Sequence, residues 1–411
     1  MQPSKIINVI DIGSSKIVTL IGQYFPQEDK TNIVAVAVEP AIGFRKGQIV
    51  NIEQAIQTLT KVVESAERMA SISINSAHIS ISAPYIESVN SQGVVAISDP
   101  QNEISSQDVS RAIDAAKAIT LPAGKQIIHV IPRKYIVDGQ EGIIDPINMT
   151  GVRLEVEAHI IMASTPALKN LQKSLDQIGV KAISINYSGL PAAHIALTDT
   201  EKELGVVLVD IGGNTTTLTV FNQASPAHST VIPIGGNNIT NDLAIGLRLS
   251  IDEAEKLKIY LNKIEKEGFT DEVDLQKKQI SSTKRKISVQ TAINGIIKPR
   301  LEEIFGLVRQ EIDSSTLVNS IPAGIVLTGG GSLTVNCQEI AGKVLNLPIR
   351  ISTPLDIGGL IDDINTPMFT SAIGLLMYSR HHQENQKSSK TGKKFSNIFD
   401  KIKSLIEPLL P

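Results

Sequence analysis

Cysteine is nearly absent from this chain of 411 residues, in which Cys337 is the single example. One thiol cannot form an intramolecular disulfide, and alone it cannot build a metal site. Because Cys337 stands in the helix-like stretch SLTVNCQEIAGKVL, we expect it to be a small core residue. The cysteine content therefore gives no sign of a disulfide framework or of a thiolate metal centre.

An excess of positive charge is missing as well. The chain has 39 Lys and Arg against 42 Asp and Glu, which gives a formal net charge of −3. Proteins that bind nucleic acid usually concentrate basic residues, and no long basic run interrupts the first 380 residues. The sequence therefore predicts that the chain has no nucleic-acid partner.

Long apolar runs are also absent, since no stretch approaches the ~18 residues that a membrane-spanning helix needs. The N-terminus, MQPSKIINVIDIG, reaches a charged residue after a very short apolar run, which is unlike a signal peptide. An apolar content of 42% with 20% charged residues is typical of a globular protein, and the length predicts two or more domains. We expect a protein that is made and kept in the cytoplasm.

Two stretches of the chain, NVIDIGSSKIVTLIG at 8–22 and LVDIGGNTTTLTVF at 208–221, share one pattern. Each is an apolar strand that ends at an aspartate, turns on glycine and resumes as a second strand. Such a turn places backbone N–H groups beside a carboxylate, which suits phosphate oxygens and a hydrated Mg²⁺. Either motif alone would be explained equally well as an ordinary hairpin. The repetition favours two phosphate-binding hairpins in two homologous halves.

A third glycine cluster follows the apolar strand GIVLT and precedes a helix that is predicted to begin at Ser332. Glycines let a flat base or a ribose lie against the backbone, and a helix N-terminus suits polar groups. Three glycines in isolation would more often form a flexible loop, but their position after the two hairpins favours a nucleotide site. The Lys- and Glu-rich region between them, 250–305, is predicted to be helical.

This ordered set resembles the actin-like ATPase superfamily, which includes actin, the Hsp70 chaperones, MreB and the sugar kinases. The resemblance implies an α/β, actin-like (ribonuclease H-like) fold of two duplicated domains, with ATP and Mg²⁺ bound between them. It assigns the ATP phosphates and Mg²⁺ to Asp11, Gly13, Ser14, Ser15, Lys16, Asp210, Gly212, Gly213, Asn214 and Thr215. It assigns adenosine to Gly329, Gly330, Gly331, Ser332, Glu255 and Lys258. Asp11 and Asp210 would hold the metal through water, while Glu255 and Lys258 would fit a solvated helical face equally well.

Two stretches with small residues, LPAAHIAL at 190–197 and SAIGLL at 371–376, resemble the crossing helices at the superfamily's interdomain hinge. In MreB and Hsp70 relatives the first of these helices commonly begins Glu-Pro, and the glutamate orients the attacking water. Here the pair is Leu190-Pro191, and a leucine side chain can neither accept a proton nor position water. The sequence therefore predicts no catalytic residue at this position and weak or absent ATP hydrolysis.

A narrower resemblance lies in HVIPRKYIVDGQEGIIDPINMTGVRLEVEAHII at 129–161, which is similar to the 1C insert of the FtsA family of bacterial cell-division proteins. Actin, MreB and Hsp70 lack this insert, whereas PilM of the pilus machinery has a related one. The similarity to FtsA runs over nearly the whole chain. It implies subdomains 1A (1–83 and 164–203), 1C (84–163), 2A (204–235 and 306–378) and 2B (236–305).

The C-terminal end is predicted to be a flexible polar linker at 379–394 and an amphipathic helix at 395–411. At 100° per residue, its large apolar side chains fall within an arc of roughly 120°. They are Phe395, Ile398, Phe399, Ile402, Leu405, Ile406 and Leu409. Lysines before and within this stripe would favour anionic lipid, although a helix docked on the protein or on a partner stays an alternative. FtsA ends in such a membrane-targeting helix and PilM does not.

The resemblance to FtsA implies a peripheral, ATP-binding scaffold that polymerises at the division site, on the cytoplasmic face of the inner membrane. It would tether FtsZ by binding the FtsZ C-terminal peptide on 2B, and would recruit later division proteins through 1C. Arg285 and Arg300 are the residues we expect to contact that peptide. The alternatives are a PilM-like pilus assembly platform, or an actin-fold ATPase or sugar kinase.

Overall fold

The computed structural model describes residues 4–267, 271–315, 317, 320–354, 358–359 and 364–390. The predicted amphipathic helix at 395–411, with its seven apolar residues, lies outside the described residues, as does the end of the predicted linker.

The first half of the chain is built on a sheet whose strands carry long runs of Ile and Val. Its elements up to the insert are β1 (Lys5–Ile12), β2 (Lys16–Phe25), β3 (Lys30–Pro40), β4 (Phe44–Arg45), β5 (Gln48–Ile49), α1 (Ile52–Ala70) and β6 (Ser76–Ile81). Helix α1 buries Leu59, Val62 and Ala66 against the sheet and exposes its charged face. The Asn51 side chain accepts from the Gln54 N–H at 3.1 Å and so caps its first turn.

A separate small sheet interrupts this half, within the range 84–163 that the resemblance assigns to an insert. Its elements are β7 (Glu87–Ala96), α2 (Ser106–Lys117), β8 (Lys125–Val137), β9 (Gln140–Ile143) and β10 (Arg153–Ser164). The strand order is β7-β10-β8-β9, and α2 packs on one face. A Cβ on Gly93 would lie 2.1 Å from the Ala112 carbonyl oxygen, so glycine lets the helix rest directly on β7. The chain then returns to the first half through α3 (Thr165–Gln177), β11 (Lys181–Tyr187) and α4 (Gly189–Ala196).

The second half repeats the topology of the first. It begins with α5 (Asp199–Leu204), β12 (Val206–Ile211), β13 (Thr216–Asn222), β14 (Ser225–Ile232) and α6 (Gly236–Leu247). It continues with β17 (Ile325–Thr328), α10 (Cys337–Leu345) and β18 (Ile349–Ile351). The chain then returns to the first sheet, where β19 (Gly358–Gly359) pairs with β3 and α11 (Thr370–Lys390) packs on the strands. The order β18-β17-β12-β13-β14 matches β11-β6-β1-β2-β3 strand for strand, with the same parallel and antiparallel pairs. The predicted duplicated α/β fold is confirmed.

The region 250–305 is less uniformly helical than the sequence predicts. It contains α7 (Ile251–Glu267), β15 (Glu272–Asp274), β16 (Lys286–Ser288), α8 (Val289–Ala292) and the start of α9 (Lys298–Ser314), with a π-helical turn at Ile293–Ile297. The two short strands pair with each other, and they bury Val273 against Ile287 in an otherwise polar stretch.

Two other helix boundaries differ from the prediction. After the glycine cluster a short 3₁₀ turn (Gly330–Leu333) intervenes, and α10 begins at Cys337 instead of Ser332, because Asn336 adopts the left-handed conformation with φ 58°. Cys337 itself is buried, as predicted. Helix α11 continues to Lys390, so the residues 379–390 of the predicted linker are helical; they contain no Gly or Pro that would end the helix.

Candidate nucleotide-binding site

The two repeated hairpins face each other across one cleft between the halves. Each turn closes in the same way, with Gly13 N–H donating to the Lys16 carbonyl at 3.1 Å and Gly212 N–H donating to that of Thr215 at 2.8 Å. The hairpins also contact each other, because the Asn214 N–H donates to Ser14 Oγ at 2.9 Å and its amide donates to the Ser14 carbonyl at 2.7 Å. The turns therefore form opposite walls of a single cavity.

The structure brings nearly all of the predicted nucleotide residues together around this cavity. Asn214 and Ser332 are the exceptions: Asn214 holds Ser14, and Ser332 Oγ donates to the Gly329 carbonyl at 2.7 Å. The predicted residues in the lining are Asp11, Gly13, Ser14, Ser15, Lys16, Asp210, Gly212, Gly213, Thr215, Glu255, Lys258, Gly329, Gly330 and Gly331. Residues that are far apart along the chain therefore form one site.

Two buried carboxylates, Asp11 and Asp210, stand near the ends of β1 and β12, which are equivalent strands of the two sheets. Ser80 Oγ donates to Asp11 at 2.5 Å, and Ser371 Oγ donates to Asp210 at 2.7 Å. Burial raises the pKa of Asp11 to about 6 and also raises the pKa of Asp210, because desolvation disfavours a negative charge. A divalent cation placed here would stabilise both carboxylates in their charged form.

The Lys16 side chain supplies the positive charge of the cavity. Its Nζ is buried, and no described residue accepts a hydrogen bond from it. Burial lowers the pKa of Lys16, while the nearby carboxylates of Asp11 and Asp210 act in the opposite direction. A buried ammonium with unused N–H donors in a glycine-lined cavity fits a polyphosphate.

The residues also fit a hydrated Mg²⁺. No cluster of three or more His, Cys, Asp or Glu side chains suited to a metal occurs in the described part of the chain. Mg²⁺, however, usually keeps several waters and takes one or two carboxylates together with the phosphates of its nucleotide. Asp11 and Asp210 supply that number of carboxylates.

Glu255 and Lys258 extend the cavity toward α7. Lys258 is only 9% exposed, and its Nζ donates to Glu255 Oε2 at 2.7 Å and to Thr240 Oγ1 at 2.8 Å. The α7 segment therefore presents these two residues to the cavity wall, and Lys258 is not part of a solvated face.

Several lining residues were not predicted from the sequence. They include Ser82, Ser188, Thr217, Asn237, Asn262, Met368 and Ser371. Ser82 follows β6, which lies parallel to β1, so its place at the carboxyl end of a neighbouring strand was the available signal. The others come from segments far apart in the chain and carry no local motif.

Leu190, which stands where relatives have a catalytic glutamate, does not line the cavity. Its side chain is 6% exposed and packs in the apolar core of the first half. The carboxylates in the lining are Asp11, Asp210 and Glu255. The first turn of α4 therefore presents no carboxylate to the cavity.

The two predicted peptide-binding residues do not line the cavity, and their settings differ. The Arg285 side chain is at the surface, where its Nη1 donates to the Arg248 carbonyl at 3.3 Å. Arg300 is paired within the protein: it donates to Asp242 through Nε at 2.5 Å and Nη2 at 2.9 Å, and it also contacts Glu303. Of the two, only Arg285 presents a guanidinium without a carboxylate partner among the ion pairs of the described residues.

Solved structures share this duplicated architecture at low sequence identity. A PilM–PilN type IV pilus biogenesis complex matches with a TM-score of 0.63 and 16% identity, over 90% of this chain and 98% of that one. The ADP-bound MreB5 of Spiroplasma citri matches with a TM-score of 0.55 and 14% identity, over 93% and 98%. With one phosphate-type hairpin from each half at a common cleft, the fold is that of the actin-like ATPases.

The family follows from sequence comparison. Residues 84–162 match the SHS2 domain inserted in FtsA, and residues 207–374 match the cell division protein FtsA. The chain belongs to the FtsA family of cell division proteins. It is 36% identical to FtsA of Pseudomonas aeruginosa over 97% of this chain and 95% of the relative, and 39% identical to FtsA of Neisseria meningitidis over 91% and 90%. Within the described residues, no helix combines the length and apolarity needed to cross a membrane.

Proposed function

We propose that this chain binds ATP with Mg²⁺, polymerises, and tethers FtsZ filaments to the cytoplasmic face of the inner membrane at the division site. The observation that carries the proposal is the cavity between the two halves, where the buried Lys16 ammonium has no hydrogen-bond acceptor among the described residues. Membership of the FtsA family supplies the link to cell division. Recruitment of later division proteins would fall to the insert at 84–163.

Each side of the cavity would have a distinct task toward the nucleotide. The glycine turns around Gly13 and Gly212 bring backbone N–H groups to the phosphates, and Lys16 balances their charge. Asp11 and Asp210 would hold the waters of the metal, and Glu255 with Lys258 would contact the ribose. Bound ATP would supply a polyphosphate that contacts both hairpins, and this shared contact would hold the two halves together. Because α4 presents no carboxylate here, the proposal includes slow hydrolysis.

The predicted amphipathic helix at 395–411 would attach the ATP-bound protein to the membrane. One short amphipathic helix gives only marginal and reversible binding to a membrane. Several helices on one polymer bind together, because after the first contact the others are held at a high effective concentration. ATP would therefore strengthen membrane attachment through polymerisation, without any change in the helix at 395–411 itself.

We expect co-sedimentation of the intact chain with anionic liposomes to rise with ATP and to collapse when 395–411 are removed. A sharper pair of variants keeps the length. Phe399→Asp with Ile402→Asp interrupts the apolar stripe, whereas Asn397→Asp with Ser404→Asp adds the same charge outside it. The first pair should abolish binding, whereas the second should reduce it by at most about 30-fold, because two added charges at about 1 kcal/mol each cost about 2 kcal/mol near an anionic surface. Equal loss in both pairs, or unchanged binding of the truncated chain, would refute the role of the stripe.

Replacing both Arg285 and Arg300 with glutamine should weaken binding of the FtsZ C-terminal peptide about tenfold, measured by fluorescence anisotropy. Glutamine is preferred to glutamate, because a carboxylate at 300 would face Asp242 and Glu303 and disturb the fold. Lys343→Gln is the control. Lys343 is exposed, as Arg285 is, and paired with a carboxylate, as Arg300 is, but it lies on α10. Unchanged affinity in the double variant would contradict the assignment of these two residues.

A further inference from the structure

The buried ammonium of Lys16 lies against an aromatic ring. Its Nζ is 3.9 Å from the centroid of Phe369, which ends a 3₁₀ turn (Pro367–Phe369) directly before α11. Phe369 is half-buried and packs against the core between α11 and the first sheet. Its neighbours Met368 and Ser371 line the cavity, whereas Phe369 itself does not, so the ring contacts Lys16 from outside the lining.

The contact matters because neither nearby carboxylate holds the ammonium through a hydrogen bond. Ser80 donates to Asp11 and Ser371 donates to Asp210, and neither carboxylate forms a hydrogen bond with Lys16. A ring face attracts a cation through its quadrupole, but it does not consume the N–H donors as a carboxylate oxygen would. Phe369 can thus hold the ammonium in place while its hydrogen-bonding capacity remains unused.

We propose that Phe369 is a positioning residue for phosphate binding, which fixes the Lys16 ammonium in the cavity with its donors directed to the ligand. The proposal rests on the proposed function, since it requires that the cavity binds a nucleotide. It also means that the strength of the phosphate contact depends on a residue directly before α11, which lies outside the repeated hairpins and belongs to no motif.

The test measures the affinity for MgATP, MgADP and adenosine by calorimetry, in variants that separate the ring from its volume. Phe369→Leu keeps an apolar side chain without a π face, and Phe369→Tyr keeps the ring. We expect Phe369→Leu to weaken MgATP and MgADP binding about 3- to 30-fold, the range of a partly desolvated cation–π contact. Adenosine, which has no phosphate, should bind within about twofold of the wild type, and Phe369→Tyr should retain the affinity for MgATP.

A double-mutant cycle with Lys16→Met completes the design, because the ring should have no effect once the ammonium is gone. Phe369→Leu added to Lys16→Met should therefore change the MgATP affinity by less than about twofold. Equal weakening of adenosine and MgATP, loss in Phe369→Tyr, or additive effects in the cycle would each overturn the positioning role. If the wild-type chain does not bind MgATP, the proposed function fails instead. If it binds and Phe369→Leu binds equally well, only the role of Phe369 fails.

Discussion

Replacing Gly329 with alanine is expected to reduce MgATP affinity at least a hundredfold and to lower the midpoint of thermal unfolding. Gly329 has φ 80° and ψ 164°, a region of backbone conformation that is essentially restricted to glycine. A Cβ at this position would lie 2.1 Å from Asp210 Oδ1 and 2.5 Å from the Ile211 carbonyl oxygen. The backbone strain alone costs about 1–3 kcal/mol, and relief of the clash must displace a carboxylate of the site. The strain lowers the stability of the folded chain, whereas the displaced carboxylate accounts for the weaker MgATP binding, in which a hundredfold loss corresponds to ~2.7 kcal/mol.

The neighbouring glycine provides a matched control. A Cβ on Gly330 would meet only Met368 Cγ at 3.4 Å, and Gly330 has no positive φ. Gly330→Ala should therefore keep the unfolding midpoint, which separates the backbone strain at 329 from the addition of a methyl group beside the cavity. Calorimetric titration and thermal unfolding of both variants give the comparison. Wild-type affinity in Gly329→Ala would show that the nucleotide does not depend on this turn.

The sequence predicts the parts of this site that are built from neighbouring residues. A strand that ends at Asp11 or Asp210 and turns on glycine is a local pattern, since the hairpin's hydrogen bonds join residues three apart. The repetition of that pattern also predicts the duplicated topology, because the same local signals build the same strand pairs in both halves. The glycine cluster at 329–331 adds the third wall for the same reason.

The rest of the site depends on contacts between residues far apart in the chain, which no local sequence pattern indicates. Ser371 donates to Asp210 across 161 positions of the chain, and Ser82 contacts Thr217 across 135. Serine and threonine occur throughout the sequence, so nothing distinguishes these before the sheets are assembled. The contact of Lys16 with Phe369 is of the same kind, because it depends on where the last helix begins.

Secondary structure was predicted incorrectly where the elements are short or lack an end signal. β15 and β16 have three residues each, too few for the alternation of a strand to stand out among lysines and serines. The start of α10 is set by Asn336, a residue type that tolerates the left-handed conformation but does not require it. Helix α11 runs past 379 because its polar residues are acceptable helix formers, and polarity alone indicated a linker.

The crossing of α4 and α11 supports the second large prediction, in which Gly374→Ala destabilises the folded protein. A Cβ on Gly374 would lie 2.1 Å from the Pro191 carbonyl oxygen and 2.6 Å from its carbonyl carbon. Both are backbone atoms, so relief requires the helices to separate and cannot come from a rotamer change. Overpacking in a core typically costs about 1–3 kcal/mol, and a rigid backbone contact places this site at the upper end. Because Ser371 on α11 donates to Asp210, the displacement should also weaken MgATP binding.

Gly306→Ala is the control for this variant, since Gly306 lies inside α9 and a Cβ there would meet nothing within 4 Å. Alanine should stabilise that helix by about 0.5–1 kcal/mol, because glycine loses more backbone entropy on folding. The two substitutions are chemically identical and both lie in helices, so their opposite effects in denaturant unfolding isolate the contact with Pro191. If both variants are stabilised, α4 and α11 do not cross this closely. If Gly374→Ala is destabilised but binds MgATP normally, the crossing supports the fold without setting the position of Asp210.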